Sequence, residues 1–158
     1  MRVFFKFFSF GLILLLLVGF VYQSYKSYVD SSSFEKTGEM LDVGGYSLYV
    51  EDSGSGKVNV IFDSGMGDDL SVWNKVANKV SKFSRVITYD RAGLGWSEES
   101  PKKRDSKAII EELHSILEQK NLTGPIVLVG HAFGGVNIQL YALTYPEDIS
   151  ALVLVDSA

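Results

Sequence analysis

Three glycine-rich turns hold most of the residues in this chain that could do chemistry. They are Asp63-Ser64-Gly65-Met66-Gly67, Asp90-Arg91-Ala92-Gly93-Leu94-Gly95 and Gly130-His131-Ala132-Phe133-Gly134-Gly135. Each follows a short apolar run, so each is expected at the carboxyl end of a strand, where open α/β sheets carry their reactive loops. Hydroxyl chemistry would fall to Ser64 or Ser97, and proton transfer to His131 or His114, the two histidines of the chain. Neither serine has a histidine partner in view, and both read better as turn residues. His114 stands beside Leu113 in a helical pattern and is expected on the helix surface. The chain has no cysteine, which excludes disulfides, thiolate nucleophiles and thiolate metal sites. No metal ligands and no cofactor are expected.

Glycine turns after strands also bind phosphates. Here, however, the third turn reads G-x-x-x-G-G in place of the dinucleotide pattern G-x-G-x-x-G, and it follows a late strand. Ser53-Gly54-Ser55-Gly56-Lys57 resembles a P-loop only superficially. Position 51 is Glu, not Gly, and no helix pattern follows, so this stretch is read as a turn.

The elements that must position these loops follow from periodicity. Met40–Val43 and Tyr46–Glu51 alternate around Gly44-Gly45 and predict a hairpin. Val58–Phe62, Arg85–Tyr89, Ile126–Val129 and Ala151–Val155 are short apolar strands. Between them lie helical patterns. Val72, Trp73, Val76 and Val80 are expected on one face of the first, capped by Ser71 or an earlier Asp. Ile109, Ile110, Leu113, Ile116 and Leu117 form the stripe of the second, stopped by Asn121–Pro125. Val136–Tyr145 is the third, ended by Pro146. A hairpin followed by alternating strands and helices predicts a mainly parallel sheet with helices on both faces and right-handed crossovers.

Strand, then Gly130-His131-Ala132-Phe133-Gly134-Gly135, then helix resembles the nucleophile elbow G-x-S-x-G of the α/β-hydrolase fold family, of the serine esterase and peptidase type. The glycines have a steric reason: neighbours of a strained elbow must be small for strand and helix to approach. The stretch Asp90–Ser97 looks like the family's D-R-x-G-x-G-x-S loop, and Ser64-Gly65 stands where the family often has His-Gly. Asp156 is similar to a common family residue at that strand end. The resemblance covers residues 40–158, the N-terminal half of such a fold. It implies Ala132 at the nucleophile position and the backbone N–H groups of Met66 and Phe133 as an oxyanion hole. It also implies elbow roles for Gly130, His131, Gly134 and Gly135, with His131 in packing. Trp73, Trp96 and Phe133 are expected near the site mouth or in ordinary packing. The implied family activity is hydrolysis of small-molecule esters, amides or related acyl compounds. Alanine has neither a lone pair nor a proton to give, so the chain is expected to be inactive as it stands. The alternative is a non-catalytic binding or interaction module that keeps the pocket.

The first 28 residues are of another kind. Met1–Lys6 is a short positive region, and Phe7–Tyr22 is sixteen residues without a charge. With Val3–Phe5 included and Lys6 snorkelling, the stretch 3–22 approaches the roughly 20 residues that cross a bilayer. A cleaved signal would need small residues at a cleavage site, and the following Gln23-Ser24-Tyr25-Lys26-Ser27-Tyr28 is bulky. An uncleaved, single-pass signal-anchor is therefore expected, with Tyr22, Tyr25 and Tyr28 near a membrane surface and the domain on the extracytoplasmic side. Residues 29–39, rich in serine, are read as a linker, and 40–158 as a partial hydrolase domain.

The chain has 158 residues, 46% hydrophobic and 22% charged, which fits one packed domain. Beyond residue 28 it carries 12 basic residues against 19 acidic ones, a balance that excludes nucleic acid as a partner. The last apolar strand, ending near Val155, is expected at a sheet edge, as in a fold truncated there, with aggregation as the hazard.

Overall fold

A computed structural model describes residues 2–33 and 36–157. It divides into two units, the first ending at Thr37 and the second beginning at Gly38.

The first unit is a single helix, α1 (Arg2–Ser33). Leucine, phenylalanine and valine fill it, and no proline interrupts it, so the backbone can close its own hydrogen bonds throughout. Its Lys6–Ser27 stretch is long and apolar enough to cross a membrane. Tyr22 and Tyr25 are exposed, whereas the side chains of Tyr28 and of Val3 to Phe5 lie outside the described residues. The helix also runs through residues 29–33 of the stretch read as linker. Serine is a poor helix former but not a breaker, and neither Gly nor Pro stands between Phe20 and Ser33 to stop the helix. Phe34 and Glu35 of the expected linker lie outside the described residues, as does Ala158 at the end of the expected domain.

The second unit is built on six strands: β1 (Glu39–Asp42), β2 (Ser47–Ser53), β3 (Asn59–Asp63), β4 (Arg85–Tyr89), β5 (Ile126–His131) and β6 (Ile149–Val155). Their order across the sheet is β1-β2-β4-β3-β5-β6. β1, β2 and β4 pair antiparallel, and the β4–β3, β3–β5 and β5–β6 pairs are parallel. Three α-helices alternate with the later strands: α2 (Asn74–Val80), α3 (Ser106–Gln119) and α4 (Phe133–Thr144).

Because strand side chains alternate, the two sheet faces collect different residues. Ile61, Ile87, Tyr89 and Leu128 meet Ile110, Leu113 and Ile116 of α3 and Ile138 and Tyr141 of α4. On the other face Val60, Phe62, Val86 and Val129 meet Trp73 and Ala77. Helices thus cover both faces, as the alternation predicts. Each fully buried Ile or Leu contributes on the order of 1.5–3 kcal/mol.

The α2 face differs from the expected one. Val72 and Val76 are 50% and 45% exposed, while Trp73 and Ala77 are buried. A 3₁₀ turn at Leu70–Trp73 precedes α2, capped by the Asp69 carboxylate on the Ser71 N–H. Three residues per turn there reset the register, so the inward face begins at Trp73. α3 needs no such correction: its whole predicted stripe is buried, and Asp105 caps it through the Ala108 N–H at 2.9 Å. β6 pairs with β5 alone and forms an edge of the described sheet, its Val153, Leu154 and Val155 exposed.

Candidate functional site

The third glycine turn is a sharp junction. β5 runs to His131, α4 begins at Phe133, and Ala132 between them takes φ 48° and ψ −115°. Such a positive φ is rare for a residue with a Cβ, and the surroundings must enforce it. They do so by close packing. A methyl group on Gly130 would lie 2.6 Å from the carbonyl carbon of Gly134. The Ala132 N–H donates to the Val155 carbonyl of β6 at 3.2 Å, and its carbonyl accepts from the Gly135 N–H at 3.0 Å and from Ser157 Oγ at 3.1 Å. No side chain caps α4, and the Phe133 amide stands at the positive end of the helix.

The first glycine turn abuts this junction: a methyl group on Gly65 would meet His131 Nδ1 at 2.9 Å. Gly65 to Asp68 is a tight turn, closed by the Asp68 N–H on the Gly65 carbonyl at 3.2 Å, with Gly67 at φ 80°. Met66 heads this turn with its side chain exposed. Beneath it lies a buried polar cluster. Arg91 Nη1 donates to Asp63 Oδ1 at 2.6 Å and to the Ser64 carbonyl at 2.5 Å, and Nη2 donates to the Gly65 carbonyl. Asn137 of α4 donates to the other Asp63 oxygen at 3.0 Å. Complete burial pushes the Asp63 carboxyl above the usual carboxylate range, with the Arg91 guanidinium pulling the other way.

The second turn is organised by Asp90. Its carboxylate accepts from the Leu70 N–H at 2.8 Å and the Trp96 N–H at 2.9 Å. Gly95, at φ 52°, wraps so closely that a methyl group there would lie 2.0 Å from Asp90 Oδ2. Ser97 Oγ donates to the Asp90 carbonyl at 2.6 Å and accepts from the Tyr49 N–H, while Ser64 Oγ donates to the Asp69 carbonyl at 3.1 Å. Both hydroxyls tie backbone, as their reading as turn residues implies.

His131 lies edge-on to Trp73, with ring centroids 6.5 Å apart, and its Nδ1 is 4.0 Å from Asp68 Oδ2. Trp73 is buried against Phe62, Trp96 is 39% exposed, and Phe133 is half-buried beside Arg91. His114, expected on the helix surface, is 29% exposed and is engaged by α4 as well. Its Nδ1 lies 2.9 Å from the Tyr141 hydroxyl, and its ring stacks on Tyr145 at 4.0 Å. It sits between α3 and α4, 27 residues from Tyr141, where no helical stripe could reveal a partner. Glu112 was also hidden: the Arg104 guanidinium grips its carboxylate and the Tyr46 hydroxyl donates to it at 2.5 Å. A lone acid inside an apolar stripe was the one local signal of that network. Asp156, at φ 47°, is exposed beyond β6. Among the described residues no group of three His, Cys, Asp or Glu side chains could hold a metal ion.

Residues 58–158 match the family described as alpha/beta hydrolase fold. The uncharacterized protein YbdG of Bacillus subtilis strain 168 is 30% identical over 149 residues, which is 92% of this chain and 46% of YbdG. Lipase 1 of Psychrobacter immobilis is 29% identical over 131 residues, 82% of this chain and 41% of that protein. Among solved structures, a bromoperoxidase from Bacillus anthracis aligns at TM-score 0.68 and 31% identity, covering 76% of this chain and 44% of that one. The chain spans less than half the length of these curated relatives.

Proposed function

The chain belongs to the α/β-hydrolase fold family, and on that premise we propose that it presents an acyl-binding site of the ester and amide hydrolase type with Ala132 in the nucleophile position. As the sequence stands, such a site binds acyl compounds without cleaving them. One observation carries the reading: a residue at φ 48° and ψ −115° between β5 and α4 is alanine. Its methyl group cannot attack a carbonyl, and the covalent route through the elbow is closed.

The donors for a developing negative charge are unaffected by this substitution, because they are backbone amides. In the proposed site the Phe133 N–H, at the start of α4, and the Met66 N–H, in the abutting turn, form the oxyanion hole. Gly130, Gly134 and Gly135 give the elbow its close packing, and His131 packs beside it. Intact donors favour binding over mere loss of function. The substrate class is a small-molecule ester, amide or related acyl compound.

The test uses the full chain, ¹⁵N-labelled, in detergent micelles. Titration with sodium butyrate is expected to shift the Phe133 and Met66 amide resonances, and p-nitrophenyl butyrate is expected to show no turnover above buffer. Ala132→Asp, which places a negative charge at the elbow, should abolish the butyrate shifts. Turnover by the unaltered chain would sink the non-catalytic reading; an unshifted pair of amides would sink the binding site.

The same proposal places α1 in a membrane as an uncleaved anchor. Lys6–Ser27 is 22 residues long, about 33 Å of helix against a hydrocarbon core of about 30 Å. The positive residues Arg2 and Lys6 precede the apolar run, which puts the domain outside. Resistance to alkaline carbonate extraction, an intact Met1, and protease access to the domain from outside the cell are the expected results. Recovery of a soluble chain beginning after residue 22 would replace the anchor with a cleaved signal.

A further inference from the structure

We infer that Arg91 is a positioning residue that aims the Met66 amide into the oxyanion hole, an inference that rests on the reading of the site given above. A trans peptide is planar, and its carbonyl and N–H point in opposite directions. The Gly65 carbonyl and the Met66 N–H belong to one such unit. Arg91 Nη2 donates to that carbonyl, and Nη1 donates to the preceding Ser64 carbonyl and to Asp63. Holding the oxygen fixes where the N–H points. The positive guanidinium also polarises the peptide, which makes its N–H a stronger donor.

The Met66 side chain is 76% exposed and gives no anchorage. The turn's own hydrogen bond, from the Asp68 N–H at 3.2 Å, holds the same Gly65 oxygen, so Arg91 adds a second, side-chain donor to a carbonyl the turn already engages. Arg91 is itself held firmly. Its side chain is 5% exposed, and its partner Asp63 is tied to Asn137 of α4. Its Cζ lies 5.8 Å from the ring centroid of Phe133, so the guanidinium lies near the start of α4 as well as on the Gly65–Met66 peptide. Lysine could pair with Asp63, but its donors sit on one nitrogen and lack the rigid planar fork with which Arg91 serves Ser64 and Gly65 from two nitrogens.

The experiment compares the unaltered chain with Arg91→Lys, both ¹⁵N-labelled full chains in micelles. In the unaltered chain the Met66 amide is expected to show the order parameter of rigid backbone, about 0.85. In Arg91→Lys that value should fall while that of Phe133 stays unchanged. Butyrate should then bind about tenfold more weakly, with the Met66 shift lost and the Phe133 shift kept, as expected for the loss of one of two hydrogen bonds to an anion. An Arg91→Lys variant with an unchanged Met66 order parameter and shift would overturn the inference. So would a Met66 order parameter below about 0.6 in the unaltered chain, and that measurement decides even where the variant does not fold. Absence of butyrate binding by the unaltered chain, with Met66 still rigid in it and loosened in the variant, would overturn the functional reading and leave the role of Arg91 standing.

Discussion

Gly134 and Asp63 meet so closely that a single methyl group would not fit between them. A Cβ on Gly134 would lie 2.3 Å from the Asp63 carbonyl oxygen and 2.6 Å from that of Ser64. The start of α4 is thereby pressed onto the end of β3, and the two turns that carry the proposed amide donors are brought side by side. Gly134→Ala is expected to lower stability by at least about 1–3 kcal/mol, the usual range for overpacking, since the obstructing atoms are backbone. Chemical denaturation of the variant against the unaltered chain measures it. A midpoint unchanged within error would mean that the two turns have room to part.

Ala132 stores strain of about 1–3 kcal/mol by holding a positive φ with a Cβ. Ala132→Gly removes that strain but adds about 0.5–1 kcal/mol of unfolded-state entropy. The net expectation is a gain of about 0–2.5 kcal/mol from these two ranges, read as a higher denaturation midpoint. Ala132→Val should do the opposite, because a β-branched residue tolerates this region least.

Glu112 is 1% exposed, with its carboxylate held by Arg104. Arg104→Leu leaves a buried charge without its partner and is expected to cost about 3 kcal/mol. The double variant Arg104→Leu with Glu112→Leu should recover most of that loss, since no charge then remains to desolvate. Equal stabilities for the single and double variants would show that the pair is not coupled.

Asp52 supplies a pH dependence. Burial raises its carboxyl, but Arg85, at 2.7 Å, and then Lys120, at 3.3 Å, more than offset this and hold it below its ordinary value. A folded pKa below the unfolded one gives stability that is present above the unfolded value of about 3.9 and is lost as pH falls through the folded value. The group is partly exposed, so the loss is small, within about 1 kcal/mol. Asp52→Asn should flatten the stability profile below about pH 4 and leave it unchanged in shape near neutrality.

The order of elements, the hairpin and the α3 stripe were all legible along the chain. So was the tight strand-to-helix turn, because glycines at 130 and 134 are intelligible wherever backbone passes backbone. These properties are local: a helix or strand reports its own environment through its own periodicity. Ala132 likewise announced from its chemistry alone that no nucleophile stands there. The expectation that Val72 and Val76 share the inward face of α2 failed for a local reason too, the 3₁₀ turn that precedes the helix.

The partnerships that build the site were not legible. Arg91 reaches Asp63 across 28 positions, Asn137 reaches it across 74, and Tyr46 reaches Glu112 across 66. Which distant residues meet depends on the strand order β1-β2-β4-β3-β5-β6, and that order is a property of the whole sheet that no local pattern encodes. Periodicity could say that an arginine follows a buried strand. Only the folded sheet, by setting β3 between β4 and β5, puts its guanidinium beneath the carbonyl of Gly65.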